Sequence, residues 1–224
     1  MVKNRITAII PAFNEEKTII SVIKVAQACP EISEIIVVDD GSTDSTFQKA
    51  QSTGVKIIRQ PLNLGKGQAM EAGVQASKSD FFLFLDADLI NLKSSHLSRL
   101  IALVLSRECD VSVGVVDRQR RWGSFYLDFF DYSRWPLAGT RVVSRDFWES
   151  IPLRYKRKFY VESAMSYLAR KRSIRVKRIL LFEVNHLVKE KKHGLLKGIF
   201  YRLRMSGQIV WINILLRFSK FDSR

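Results

Sequence analysis

Phe81-Phe82-Leu83-Phe84-Leu85-Asp86-Ala87-Asp88 is the stretch that decides the fold and points to the chemistry. An unbroken apolar run this short, with no polar residue at alternate positions, reads as a strand covered on both faces, as in a parallel sheet. It ends on two carboxylates two positions apart. Burying two anions side by side is costly unless a cation bridges them, and hard oxygen ligands suit Mg2+ or Mn2+. The plainer alternative is a turn with solvated aspartates, since Asp favours turns.

On either side, short apolar runs alternate with segments of helical period. Ile6 to Ile10, Ile35 to Val38, Val55 to Ile58 and Val111 to Val116 read as further strands; Glu15 to Cys29, Ser45 to Ser52, Gly67 to Ser77 and Ser95 to Arg107 read as helices. This predicts an α/β fold of βαβ units with a mainly parallel central sheet flanked by helices, whose ligands bind beyond the carboxyl ends of the strands. Acidic residues fall at those ends: Glu15 after the first strand, Asp39 and Asp40 after the second, Asp86 and Asp88 after the fourth. Gly139 to Val143 reads as another strand, Tyr160 to Arg172 as a helix, and Val176 to Val184 as a strand.

Asp39-Asp40-Gly41-Ser42-Thr43-Asp44 is a turn in which Ser42 or Thr43 is placed to cap the next helix. A strand-end carboxylate there can accept from a nucleobase N–H or a ribose hydroxyl, or simply belong to a polar loop. Asn63-Leu64-Gly65-Lys66-Gly67-Gln68 opens a helix and brings backbone amides or an ammonium towards a nucleotide. Its spacing fits neither GxxxxGK[ST] nor GxGxxG, whose third glycine would fall on Met70, which counts against a P-loop NTPase and a Rossmann dehydrogenase.

Among 224 residues, 46% are hydrophobic and 26% charged, enough apolar material for a sizeable core and too much for wholesale disorder. Charge is divided unevenly. Residues 1–117 carry 12 Lys and Arg against 14 Asp and Glu, whereas residues 118–224 carry 25 against 8, so the second half accounts for the whole net charge of +15. Such a half attracts polyanions: nucleic acid, an anionic membrane face or phosphorylated substrates. Clustered acids at strand ends repel phosphate, so no nucleic-acid partner is expected; non-enzymatic nucleic-acid binding is the remote alternative. Cys29 and Cys109 lie far apart without metal-ligand spacing, which suits buried thiols in a reducing compartment. Met1 to Arg5 lead straight into a strand with no leader-like apolar core, and the run Ile209 to Leu216, broken by Asn213, is too short to span a bilayer. A cytoplasmic protein is expected, peripheral on the inner face of the plasma membrane if its tail binds there. In that tail Leu196, Ile199, Phe200, Leu203, Val210, Trp211, Ile214, Leu215 and Phe218 keep helical spacing, with Lys197, Arg202, Arg204 and Arg217 on the other face. Packing on the core and insertion into an anionic interface both suit this pattern. The expected organisation is one domain over residues 1–190, split at 117/118, followed by a basic amphipathic helix over 191–224.

Four ordered motifs, Pro11-Ala12-Phe13-Asn14-Glu15-Glu16, Val37-Val38-Asp39-Asp40-Gly41-Ser42-Thr43-Asp44, Asn63-Leu64-Gly65-Lys66-Gly67 and Asp86-Ala87-Asp88-Leu89, resemble those of family 2 glycosyltransferases with the GT-A fold. The likeness extends loosely to about residue 190 and is strongest with short enzymes akin to dolichyl-phosphate mannose synthase and glucosyl-3-phosphoglycerate synthase. It implies a metal-dependent transferase that takes a sugar from a nucleotide-sugar donor. Pro11, Ala12, Glu15, Asp39 and Asp40 would then line the nucleoside pocket with Lys66 nearby, and Asp86 and Asp88 would hold the donor diphosphate through Mg2+ or Mn2+. His186 is implied as a third metal ligand, and Arg118 as a grip on phosphate. Asp88 and Glu162 take the catalytic roles, Glu162 serving as base towards a hydroxyl acceptor. Pro136-Leu137-Ala138-Gly139-Thr140-Arg141 resembles an acceptor-side segment. A polyprenyl phosphate is the first acceptor expected, and a soluble phosphorylated or saccharide hydroxyl the second.

Overall fold

The structure, a computed structural model, describes residues 5–116, 139–157 and 160–187. The first half follows the alternating pattern: strand β1 (Ile6–Ala12), helix α1 (Ile19–Gln27), β2 (Glu34–Asp39), α2 (Thr46–Gln51), β3 (Lys56–Arg59), α3 (Lys66–Gln75) and β4 (Phe81–Phe84). The two-residue strand β5 (Leu89–Ile90), helix α4 (Ser94–Leu105) and β6 (Val111–Val116) come next. After residue 138 the chain adds β7 (Arg141–Ser144), α5 (Arg145–Glu149), a 3-10 turn (Leu153–Tyr155), α6 (Tyr160–Lys171), β8 (Val176–Leu181) and the short β9 (Asn185–His186).

Seven strands form one sheet in the order β3-β2-β1-β4-β7-β6-β8, and β5 pairs with β9 in a separate ribbon. Pairing is parallel throughout the sheet except at β7, which runs antiparallel to both β4 and β6. β1 lies between β2 and β4, and its two faces pack into two separate cores, which explains its continuous apolar sequence. Ile6, Ala8 and Ile10 face a core shared with α1 and α4; Ile9 faces the other core, with α3, α5 and α6. The helices supply matching stripes. Ile19, Val22, Ile23 and Ala26 of α1, and Leu97, Leu100, Ile101 and Val104 of α4, recur at the spacing that puts them on one face.

Helix α1 begins four residues later than expected. Asn14 adopts a left-handed conformation (φ 55°), and the Glu15 carbonyl accepts the amides of Thr18 and Ile19, so residues 15–18 form a turn instead of a helical start. The expected cap on α2 is also different. Ser42 Oγ accepts the Asn14 amide at 2.9 Å, whereas Asp44 Oδ1 accepts the Thr46 amide at 2.9 Å and takes the capping position's work. Short α5 was not expected from the sequence; Ser144 caps it by accepting the Phe147 amide at 3.2 Å. Both cysteines are buried thiols. Among the described residues no helix is long and apolar enough to cross a membrane. The 191–224 tail and Arg118 lie outside the described residues.

Phe82 is fully buried, its ring 6.2 Å from that of Phe84 and under the guanidinium of Arg145 at 4.8 Å. Phe82→Ala leaves a cavity and is expected to lower the unfolding free energy by about 3–5 kcal/mol; urea denaturation would show this as a lower midpoint at unchanged slope.

Candidate functional site

The carboxyl ends of β1, β2 and β4 meet at one rim, and hydrogen bonds stitch the loops that leave them. The Asp40 amide donates to the Ala12 carbonyl at 2.8 Å, extending the β1–β2 ladder, in which Pro11 stands opposite Val38 and Ala12 opposite Asp39. The Glu15 amide donates to Thr46 Oγ1 at 2.7 Å, and the Thr43 amide to Asn14 Oδ1 at 2.9 Å. This holds the Pro11 to Glu15 segment against the Asp39 to Thr46 turn.

Adjacent Asp39 and Asp40 serve different purposes. Asp40 accepts the amides of Leu64 and Gly65 at 2.8 and 2.9 Å, fixing the loop that enters α3. Burial pushes its carboxyl above the ordinary value, against the pull of those two amides. Asp39 is fully buried; its Oδ1 accepts the Ser42 amide at 3.2 Å, while Oδ2 accepts no hydrogen bond and lies 3.4 Å from Arg59 Nε. A buried carboxylate oxygen with spare lone pairs is a strong acceptor for a ligand N–H or O–H.

Beyond β4, Asp86 and Asp88 occupy the bend that leads into β5. The ribbon partner of β5 brings in the third group: His186 on β9 stands opposite Leu89, the Leu187 amide donates to the Asp88 carbonyl at 2.9 Å, and His186 Nδ1 lies 2.9 Å from Asp88 Oδ1. Asp86, Asp88 and His186 each offer a ligand atom, all within 4.8 Å of one another. Two hard carboxylates and an imidazole suit Mn2+ or Mg2+, with Mn2+ the more tolerant of nitrogen.

Next to this trio lies a cation the sequence placed only near the nucleoside. Lys66, first residue of α3, reaches Asp86 Oδ1 and Glu162 Oε1, each at 2.5 Å. Burial alone would favour the neutral amine, yet Asp86 and then Glu162 outweigh it, and its pKa stands above the ordinary lysine value. Glu162, in the first turn of α6, is buried, not solvated as a surface helix acid would be. A second cation, buried Arg141 on β7, faces both acids; burial pushes its pKa down and the charges of Glu162 and Asp86 oppose that shift. Gly139 completes the packing, because any Cβ there would strike the Asp86 carboxylate and the Lys66 ammonium.

So the structure brings Asp86, Asp88, His186, Lys66 and Glu162 into one cluster, and Pro11, Ala12, Glu15, Asp39 and Asp40 onto the same rim. Sequence reasoning passed over Arg141 and Gly139 as site residues in their own right, although both lie in the quoted Pro136 to Arg141 segment. It also missed that Lys66 and Glu162 meet.

The match to known proteins agrees with this architecture. The model of the family described as glycosyl transferase family 2 matches residues 7–175. Glucosyl-3-phosphoglycerate synthase of Mycobacterium tuberculosis is 34% identical over 112 residues, 46% of this chain and 35% of that enzyme. Dodecaprenyl-phosphate galacturonate synthase of Rhizobium johnstonii is 30% identical over 119 residues, 49% of this chain and 35% of that enzyme. The matched stretches thus span about a third of the length of these relatives. A crystal structure of the M. tuberculosis synthase with Mn2+ and UDP-glucose superimposes with a TM-score of 0.78 at 24% identity, covering 95% of this chain and 79% of that one. With the strand order, the acid-lined rim and a family match over most of its length, the chain belongs to glycosyl transferase family 2 and has the GT-A fold.

Proposed function

We propose that the protein is a metal-dependent glycosyltransferase that moves a sugar from a nucleotide-sugar donor to a phosphorylated acceptor. The observation that carries this reading is the Asp86, Asp88 and His186 trio at the end of β4, within 4.8 Å. A divalent ion held by these three residues supplies positive charge where a leaving diphosphate accumulates negative charge. The remaining roles fall to the chain's own groups. Asp39 Oδ2, buried and without a hydrogen-bond donor, accepts an N–H from the nucleobase. Lys66 and Arg141 offset the negative charge of Asp86 and Glu162, which lets the two acids lie close together without a ligand. The M. tuberculosis relative crystallised with Mn2+ and UDP-glucose supports this class of donor and ion.

For the acceptor, a polyprenyl phosphate at the membrane face is the first choice. It suits the basic second half, the amphipathic pattern over 191–224, and the relative named for dodecaprenyl phosphate. Arg118 is the residue proposed to grip its phosphate. An ionised phosphate oxygen attacks without a base. One observation favours a second reading: Glu162 is a buried carboxylate beside Asp86's partner Lys66, where a general base for a soluble hydroxyl acceptor belongs, and the phosphoglycerate synthase relative acts on such a class by name. The acceptor itself separates them: transfer to a water-soluble phosphorylated hydroxyl compound without lipid supports the second reading, and transfer that requires a polyprenyl phosphate supports the first. Cytoplasmic location, peripheral at the inner membrane face, follows from the first reading.

With Mn2+, one of the UDP-, GDP-, ADP- and dTDP-sugars is expected to raise the melting temperature, because a ligand specific to the native state stabilises it. Asp88→Asn is expected to lower divalent-dependent transfer or donor hydrolysis by about 100-fold or more; full activity of this variant in chelator would reject the reading. Lys66→Met, in chelator, leaves Asp86 and Glu162 without the ammonium between them and should destabilise the fold by about 3–5 kcal/mol at pH 7. Urea unfolding of the variant and the wild type in chelator measures the difference.

A further inference from the structure

Lys156 is the one lysine among the described residues that is buried as a whole, and the reaction just proposed makes no use of it. Its Nζ lies 2.9 Å from Glu71 Oε2 and 4.9 Å from the centre of the Trp148 ring. Glu71 is a hub. Besides Lys156 it accepts Trp148 Nε1 at 2.6 Å and Gln75 Nε2 at 2.9 Å, and these donors hold its carboxyl below the ordinary value although burial pushes the other way. A buried ion pair is a poor source of stability, since desolvation offsets most of the attraction and a well-packed apolar pair does as well. What such a network does supply is a fixed geometry.

The geometry it fixes leads to the cluster. Glu71 sits one turn along α3 from Gly67, the neighbour of Lys66, and Lys156 closes the 3-10 turn that precedes α6, which carries Glu162. The two segments touch backbone to backbone at Gly67, where a Cβ would stand 2.6 Å from the Lys156 carbonyl carbon and 2.7 Å from the Arg157 nitrogen. Lys66 and Glu162, at the starts of their helices, meet at 2.5 Å. A shift of the turn along α3 therefore separates them.

We infer that Lys156 is a positioning residue: its pairing with Glu71 and Trp148 clamps the 153–157 turn onto the start of α3 and so sets the Lys66–Glu162 contact across the site. This rests on the proposed transfer reaction for its consequence in rate, but not for the contact itself. Two readouts on the full chain separate these. The first is reductive methylation of lysines, mapped by peptide mass spectrometry in chelator, which reports whether Lys66 is still engaged. The second is steady-state transfer or donor hydrolysis.

In Lys156→Met the methylation rate of Lys66 is expected to rise several-fold while exposed lysines such as Lys24 are unchanged, and Lys156→Arg should restore protection. Turnover should fall about 10- to 100-fold, the scale of a misplacement near 1 Å, with donor KM little altered. Gly67→Ala keeps every charge; its methyl would stand 2.6 Å from the backbone of the turn and pushes the turn away, so it should expose Lys66 and slow turnover while lowering the melting temperature somewhat, both readouts being taken well below that temperature. This variant decides the matter if Lys156→Met does not fold. Unchanged Lys66 reactivity in both folded variants overturns the inference, as does a turnover loss that vanishes when the assay is run far below the melting temperature. Lys66 released in an enzyme with no wild-type transfer would leave the clamp standing and reject the proposed reaction instead.

Discussion

A single ammonium, that of Lys66, holds apart two carboxylates that could not otherwise share a sparsely hydrated cleft. Asp86 arrives at the end of β4, Glu162 in the first turn of α6, and Lys66 at the start of α3, so this contact joins three elements that the chain makes far apart. Like charges brought this close raise each other's energy unless a cation intervenes. With Arg141 behind it and no room for a side chain at Gly139, the cluster has little freedom to rearrange. One ligand atom each from Asp86, Asp88 and His186 then lies within 4.8 Å of the others, a place for a divalent ion rather than another lysine.

Most of the sheet was legible because its strands are covered on both faces. Nothing but an apolar run is tolerated at Ile9, Ile36 to Val38 or Phe82 to Leu85, and no helix of stable length fits between the polar segments that flank them. The antiparallel direction of β7 was not legible, since a buried strand has the same composition whichever way it runs. Ribbon strands of two residues carry no periodicity, so β5 and β9 were invisible, and with them the reason His186 reaches Asp88. Where hydrogen-bonding side chains compete, local rules also misled: Ser42 satisfies the Asn14 amide, leaving Asp44 to serve α2.

At the site, residue types at strand ends were informative and their pairings were not. Asp39, Asp40, Asp86 and Asp88 could be named from spacing, because a parallel sheet delivers all its carboxyl ends to one rim. That Asp40 would spend its oxygens on the Leu64 and Gly65 amides while Asp39 keeps one lone pair open depends on the loop, which spacing does not encode. Lys66 and Glu162 are 96 positions apart, and no local pattern links them. Each had an ordinary surface interpretation that only burial removes.

The proposed transfer depends on a divalent ion at the Asp86, Asp88 and His186 trio. Crystals grown with Mn2+ and the sugar nucleotide that stabilises the protein best would settle it by anomalous scattering at the manganese edge. The predicted result is one strong peak bounded by Asp86, Asp88 and His186, with diphosphate oxygens completing its shell. A well-ordered nucleotide with no peak there, or with manganese held by other residues, would contradict it.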